Sequence, residues 1–169
     1  LAPRDFDVRK LLEEAVGLIQ EDARAGGNRV AIRVGADAEF AHNDAQKLGV
    51  CVSALLSNAA KFTQNGLIAV TAERDLSGGQ EWLTIAVSDT GVGIAADDLP
   101  RIFSPFTQLE ASRTRAKGGL GLGLSVAKRM ANTMGGDVTA TSQVGAGSTF
   151  TVRVPLRIAG RPGAQAAAA

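Results

Sequence analysis

The sequence has few of the residues that build covalent or metal-based sites. It contains one cysteine, Cys51, in an apolar stretch that predicts buried packing, so no disulfide can form within the chain. Its one histidine, His42, has no cysteine or histidine companions, which argues against a metal centre or a histidine-based triad. No apolar run approaches the roughly twenty residues of a membrane-spanning helix, and no signal peptide opens the chain. These absences predict a reducing, cytoplasmic location, whether or not a parent protein is membrane-anchored.

An excess of one charge is also missing. The 18 Lys and Arg residues and 17 Asp and Glu residues are scattered over 169 residues and leave a net charge of +1. Without a basic stripe or interleaved aromatic residues, nucleic acid is not an expected partner. A hydrophobic fraction of 45% in a chain of this length predicts a single globular domain with one core.

Apolar periodicity predicts three main helices and about five strands. The helices are expected over 8–25 after an N-cap at Asp7, from a capping box at Asn43 and Gln46 to about residue 61, and over 123–134. The strands are expected over 29–34, 67–73, 82–88, 137–142 and 148–154. Because most of these strands are joined by hairpins, the pattern predicts an α/β fold: a two-layer sandwich with helices on one face of the sheet.

The most informative stretch begins at Asp89, which follows an apolar strand and precedes Gly91 and Gly93. An ionised carboxylate only accepts hydrogen bonds, so it suits the exocyclic amine of adenine and rejects the carbonyl of guanine. The glycines let the backbone approach a flat ring. The alternative is an aspartate that begins an ordinary turn. The Gly-x-Gly-x-x-Ala pattern at 91–96 is not a dinucleotide fingerprint, because no long crossover helix fits after it.

A second glycine-rich segment, 119–125, alternates glycine with leucine and opens a predicted helix. Backbone amides at a helix N-terminus favour phosphate, although a flexible glycine turn is the alternative. The preceding segment, 107–117, carries Arg113, Arg115 and Lys117. It predicts either a cover that closes over a triphosphate or a solvated polar loop.

Asn58 and Lys61 lie three residues apart on one predicted helix face. An amide oxygen suits Mg²⁺, and the ammonium group of Lys61 suits phosphate. A polar helix edge without a ligand is the alternative.

Taken in order, these segments resemble the ATP-binding catalytic domain of bacterial sensor histidine kinases, in the GHKL superfamily that includes gyrase and heat-shock chaperone ATPases. The matching motifs are an asparagine box (55–63), a first glycine box (89–94), a phenylalanine box (103–106), a second glycine box (119–124) and a closing strand motif (145–150). The resemblance covers about residues 6–156. It implies a Bergerat-type α/β sandwich with a mixed, mostly antiparallel sheet.

The resemblance also implies ATP and Mg²⁺ as cofactors and assigns site residues. Lys61 and Arg115 would be catalytic, Asn58 would bind the metal, and Asp89 would bind adenine. The full implied ATP site consists of Asn58, Lys61, Phe62, Asp89, Gly91, Gly93, Ile94, Arg115, Gly119, Gly121, Leu122, Gly123, Leu124 and Thr149. In that site Phe62 and Ile94 would flank the ring, and Thr149 would lie near the base.

By the same resemblance, residues 1–5 would end a linker from a helical dimerisation domain, 6–159 would form the ATP-binding domain, and 160–169 would be a disordered tail or linker. The implied function is transfer of the γ-phosphoryl group from Mg-ATP to a histidine on that helical hairpin, in two-component signalling. The implied partners are the hairpin and a response-regulator receiver domain, within a homodimeric parent. No direct membrane contact is expected, and this domain alone is not expected to autophosphorylate.

One departure from the family pattern keeps alternatives open. Ala54 stands one helical turn before Asn58, where the family usually has a polar residue and where chaperone and gyrase ATPases have a glutamate base. The alternatives are therefore a degenerate nucleotide- or regulator-binding docking module without useful kinase activity, or a GHKL ATPase, which the missing glutamate disfavours.

Overall fold

The computed structural model describes residues 1–107 and 122–157 and places helices against one face of a sheet. The elements are β1 (Arg4–Asp7), α1 (Val8–Ala25), β2 (Arg29–Val34), β3 (Phe40–Asn43), α2 (Ala45–Phe62), β4 (Leu67–Ser77), β5 (Gln80–Asp89), α3 (Gly123–Thr133), β6 (Asp137–Gln143) and β7 (Gly147–Pro155). Short 3-10 turns lie at Ala36–Ala38 and Leu99–Arg101. The tail predicted over 160–169 lies outside the described residues. Within them, no helix is both long and apolar enough to span a membrane.

The main sheet has five strands in the order β2-β4-β5-β7-β6. Only the β2–β4 pair is parallel, and the other neighbours are antiparallel. Along β5, the side chains of Leu83, Ile85 and Val87 are fully buried and alternate with half-exposed ones, so one face of the strand packs on the helices. The predicted two-layer sandwich with a mostly antiparallel sheet is confirmed.

The three predicted helices are present. In α1 and α2 the buried residues recur at three- and four-residue steps, as the apolar periodicity predicts; examples are Leu12, Val16 and Ile19 in α1 and Leu48, Val52 and Leu55 in α2. In α3 the small residues Ser125, Ala127 and Ala131 are buried, whereas Leu124 and Met130 are only half-buried. These small side chains allow α3 to pack closely against the neighbouring elements. The start of this helix lies near the surface.

The N-cap of α2 is Asp44 rather than Asn43, so the predicted capping box was wrong by one residue. The Asp44 carboxylate accepts hydrogen bonds from the backbone N–H and the Nζ of Lys47, at 3.0 and 2.8 Å. Asn43 instead donates from its side-chain amide to the carbonyl of Pro155, at 2.7 Å. The start of α2 is thereby held against the end of β7.

A separate antiparallel pair, formed by β1 and β3, was not predicted. Each strand has four residues, too few for a clear alternating pattern. Strand β1 begins at Arg4, inside the segment expected to be linker. Just before it, the Ala2 N–H donates to the Asp44 carboxylate at 2.9 Å. Asp44 therefore ties the incoming chain to the start of α2.

We expect Asp44→Ala to lower the free energy of unfolding by about 2–3 kcal/mol at neutral pH, measured by urea denaturation. Burial opposes ionisation of Asp44, but the hydrogen bonds from Lys47 and Ala2 outweigh it and lower the pKa to about 2. Because this folded-state pKa lies below the ordinary value of 3.8, the stabilisation is present above about pH 4 and is lost as the pH falls toward 2.

Asp7→Ala is the matched control. Asp7 caps α1 by the same contact, to the Lys10 N–H at 3.0 Å, but it is exposed. Its loss should be about 1 kcal/mol. Equal losses in the two variants would contradict the role assigned to the buried contacts of Asp44.

Candidate functional site

Asp89 ends β5 on the face that packs against the helices, and it is 8% exposed. Its Oδ1 accepts a hydrogen bond from the Gly91 N–H at 2.8 Å. Burial raises the pKa of the Asp89 carboxyl, and hydrogen bonding from Gly91, Ser148 and Thr63 only partly offsets that effect. A carboxyl group whose burial disfavours its charge is typical of a binding or catalytic position rather than a stabilising one.

The turn after Asp89 is held on both sides. The Val92 N–H donates to the Phe62 carbonyl at the end of α2, at 3.3 Å, and the Val92 carbonyl accepts from the Gly145 N–H at 2.9 Å. A Cβ at Gly93 would lie 2.1 Å from the Gln143 carbonyl oxygen, and the φ of Gly93 is +74°. No other residue type fits there without displacing the turn between β6 and β7.

The final two turns of α2 form a wall beside this turn. They carry Asn58, Lys61 and Phe62, all half-buried. Asn58 and Phe62 are four residues apart and share one side of the helix with Ala54. The Lys61 Nζ lies 5.6 Å from the centre of the Phe62 ring.

The start of α3 lies at the other end of this wall. A Cβ built on Gly123 would be 3.9 Å from the Cβ of Ala54. Residues 54 and 62 are separated by roughly 12 Å along the axis of α2. The Asp89 turn and the start of α3 therefore adjoin the same helix at positions about two turns apart.

The N-terminus of α3 lacks a side-chain cap. Its N-cap is Leu122, and the first intrahelical bond runs from the Val126 N–H to the Leu122 carbonyl. The amides of Gly123 and Leu124 precede that bond and have no acceptor within the helix, as in any first helical turn. Of the other predicted phosphate-binding residues, Arg115, Gly119 and Gly121 lie outside the described residues.

The resemblance implies a position for Thr149 near the base, but its side chain lies on the face of the sheet away from the helices. It pairs with Ser88, and their hydroxyl oxygens are 2.8 Å apart on the face away from the helices. Asp89 instead pairs with Ser148, which is 7% exposed. The alternation of side chains along β7 predicts this arrangement. Ser148 lies two residues before the core residue Phe150, so the two side chains face the same side of the sheet.

Sequence reasoning also missed Thr63, at the end of α2. It is fully buried, and its hydroxyl lies beside the Asp89 carboxyl, where it helps to lower the pKa of that group. Ile94 is half-buried and packs on the core, and its N–H donates to the Ser142 Oγ at 2.7 Å.

The two phenylalanines of 103–106 have different environments. The Phe103 ring packs edge-on against Phe150, with ring centres 6.3 Å apart, and Lys128 Nζ lies 4.8 Å from its centre. Phe106 is 71% exposed and has a φ of +63°. The first ring is partly buried and packs on the core, and the second faces solvent.

The one cysteine and the one histidine of the chain make contacts within the fold. Cys51 is buried, its Sγ donates to the Ala127 carbonyl at 3.2 Å, and burial raises its pKa to about 12, as expected for an unreactive thiol. His42 lies on β3 with its Nδ1 2.8 Å from the Asp5 carboxylate. Across residues 1–107 and 122–157, no group of three or more His, Cys, Asp or Glu side chains could hold a metal ion.

Residues 43–158 match the family described as histidine kinase-, DNA gyrase B-, and HSP90-like ATPase, and the chain belongs to this family. Within it, the chain is of the type that forms the ATP-binding catalytic domain of sensor histidine kinases. It is 38% identical over 167 residues to the sensor histidine kinase AruS of Pseudomonas aeruginosa, covering 98% of this chain and 17% of AruS. It is 37% identical over 158 residues to the sensor protein TorS of Escherichia coli, covering 93% of this chain and 16% of TorS.

Solved structures agree with this assignment. The full-length histidine kinase ShkA in complex with AMPPNP superposes with a TM-score of 0.81 at 30% identity, over 96% of this chain and 33% of ShkA. The nucleotide-free catalytic domain of histidine kinase ThkA has the same fold, with a TM-score of 0.77 at 23% identity over 93% of this chain and 97% of that domain. The chain spans about a sixth of the length of the curated relatives that it matches.

We expect Asp89→Asn to raise the midpoint of thermal unfolding in the absence of nucleotide at neutral pH. The amide keeps an acceptor for the Gly91 N–H and removes the charge whose burial raises the pKa. Because the folded-state pKa is raised, protonation stabilises the wild type as the pH falls through that value. The advantage of the variant should therefore shrink in acid.

Asp75→Asn provides a control with the opposite sign. A hydrogen bond from Arg153 is the main cause that lowers the pKa of Asp75. Removing its charge should therefore lower the unfolding midpoint at neutral pH. If both variants were destabilised alike, the unfavourable burial of Asp89 would be refuted.

Proposed function

We propose that the chain binds Mg-ATP and donates the γ-phosphoryl group to a histidine on a separate helical dimerisation domain, as the catalytic domain of a two-component sensor kinase. The observation that carries this proposal is the arrangement along α2. A buried carboxylate adjoins one end of its exposed side, and an uncapped helix N-terminus adjoins the other. A nucleotide requires an acceptor for its base and amide donors for its phosphates, separated in this way.

The base would bind at the Asp89 end. The Asp89 carboxylate accepts from the Gly91 N–H, with Ser148 and Thr63 as further donors. An ionised carboxylate has roughly four acceptor positions, so one remains for the exocyclic amine of adenine. Guanine has a carbonyl at that position, which the carboxylate would repel. Phe62 and Ile94 are half-buried and would pack against the ring.

The phosphates would bind at the α3 end. The amides of Gly123 and Leu124, which follow Leu122 and have no acceptor within α3, suit anionic oxygens. Lys61 supplies a positive charge on the same wall. We assign Gly119, Gly121 and Arg115 to the phosphates as well, on the strength of the family motif that contains them.

Asn58 would bind the metal. Its amide oxygen suits Mg²⁺, which in nucleotide sites takes most of its other ligands from water and phosphate. When bound, the ion neutralises phosphate charge during transfer. Ala54, one turn earlier, can neither ligate the ion nor orient a water. This observation favours a second candidate, a nucleotide-binding docking module with weak or no phosphoryl transfer.

We place the ATP-binding domain at residues 6–159, and we infer that other segments of a longer cytoplasmic kinase supply the dimeric hairpin with the acceptor histidine. A response-regulator receiver domain would take the phosphoryl group from that histidine. Because such transfer involves little covalent chemistry by the enzyme, the chain's own residues act by position and charge.

Titration calorimetry should detect magnesium-dependent ATP binding, with little or no binding of GTP. Asp89→Asn should weaken ATP binding by about 10- to 100-fold, because a hydrogen bond to a charged acceptor is lost. Asp75→Asn, which changes a carboxyl paired with Arg153 on the outer face, should leave binding unchanged. The absence of ATP binding by the wild-type chain would refute the proposed function.

A second experiment separates the kinase from the docking module. A sensor-kinase hairpin bearing the acceptor histidine is fused ahead of the chain and incubated with γ-labelled ATP. Label on the histidine is expected, with more label in Ala54→Asn and less in Asn58→Ala, because the metal ligand set is extended in one and reduced in the other. ATP binding without label in both the wild type and Ala54→Asn would favour the docking module.

A further inference from the structure

Lys128 connects α3 to two other elements through its ammonium group. The Lys128 Nζ donates to the Val138 carbonyl at 3.0 Å and lies 3.0 Å from the Asp137 carboxylate, both at the start of β6. The same atom lies 4.8 Å from the centre of the Phe103 ring, within the range of a cation–π interaction. One side chain therefore joins the second turn of α3 to the edge strand of the main sheet and to the loop after β5.

The groups that hold Lys128 are themselves fixed. The Asp137 Oδ1 accepts from the Val138 N–H at 2.9 Å, so this carboxylate is oriented by the backbone of β6. The Phe103 ring packs edge-on against Phe150, a core residue of β7. Because the side chains of Lys128 and Asp137 are 34% and 51% exposed, their ion pair adds little to stability. A cation held at once by a carboxylate, a carbonyl and a ring is better suited to defining a position than to stabilising the fold.

The packing of α3 explains why such a contact is needed. Its buried side chains, Ser125, Ala127 and Ala131, are all small. Small side chains permit a close approach but interdigitate little, so they resist sliding or rotation of a helix less than large ones do. Lys128 lies five residues after Gly123, which is roughly 7.5 Å along the helix axis. A contact that fixes Lys128 therefore also fixes the first turn of α3, because the helix between them is rigid.

We propose that Lys128 is a positioning residue for nucleotide binding, an inference that rests on the proposed function. Through its contacts with the start of β6 and with Phe103, it fixes the position of α3 along the sheet. The amides of Gly123 and Leu124 are thereby held at the distance from Asp89 that one ATP molecule spans. Lys128 acts through α3 and not by touching the phosphates, because its ammonium group is already held at the start of β6.

The test measures the affinity for Mg-ATP by calorimetry, well below the unfolding midpoint of each variant. Lys128→Met keeps the length of the side chain and loses the charge, so it should weaken ATP binding about 10-fold. Lys128→Arg keeps a cation that can pair with the carboxylate and stack on the ring, and it should restore the wild-type affinity. Arg129→Met is the matched control: it removes the same charge from an exposed neighbouring position on α3 and should leave the affinity unchanged.

Asp137→Asn separates positioning from direct contact with the phosphates. If Lys128 positions α3, loss of its carboxylate partner should weaken ATP binding several-fold. Unchanged or tighter ATP binding by Asp137→Asn would overturn the inference, because it would mean that Lys128 serves as a cation for the phosphates or only for the fold.

Wild-type ATP affinity in Lys128→Met would overturn the inference too. Thermal unfolding verifies that each variant is folded, and Lys128→Gln replaces Lys128→Met if the latter is unfolded. In each of these outcomes the wild-type chain still binds ATP, whereas failure of the wild type to bind ATP would refute the proposed function itself.

Discussion

The site depends on the close approach between the end of α2 and the turn after β5. The Phe62 carbonyl accepts from the Val92 N–H, and a Cβ at Gly91 would lie 2.3 Å from that same carbonyl oxygen. This contact fixes the last turn of the helix relative to Asp89. If the two elements were farther apart, the carboxylate, the half-buried ring of Phe62 and the amide of Asn58 would not border one site.

Local chemistry explains which candidate site residues can be proposed from the sequence. Asp89 was found because a carboxylate between an apolar strand and a Gly-x-Gly turn is a pattern within a few residues. The position of Thr149 near the base was inferred from a motif, whereas its side-chain direction is set by the register of β7 against β5. Thr63 was missed because nothing in a Phe-Thr-Gln sequence indicates that the hydroxyl is buried beside Asp89. Such facts arise only from tertiary packing.

The same distinction holds for the fold. The helices and the five strands of the main sheet follow from apolar periodicity, which each element carries in its own sequence. The cap of α2 was shifted by one residue because Asn43 and Asp44 are both good caps, and the choice between them is made by the distant Pro155 carbonyl, which takes the Asn43 amide. The β1–β3 pair has too few residues to show alternation and is defined by pairing between segments more than thirty residues apart.

Asp44 and Asp89 show how one side chain serves stability in one place and ligand binding in another. Both are less than 10% exposed. Asp44 is surrounded by donors from Lys47 and Ala2, so its ionised form is favoured and its pKa falls. Asp89 receives less compensation, and its pKa rises. A carboxylate whose donors are all supplied by the protein gains little from a ligand, whereas one that is buried with acceptor capacity to spare gains hydrogen bonds that folding did not provide. The difference in donors around two aspartates, rather than the residue type, therefore separates the helix cap from the candidate nucleotide contact.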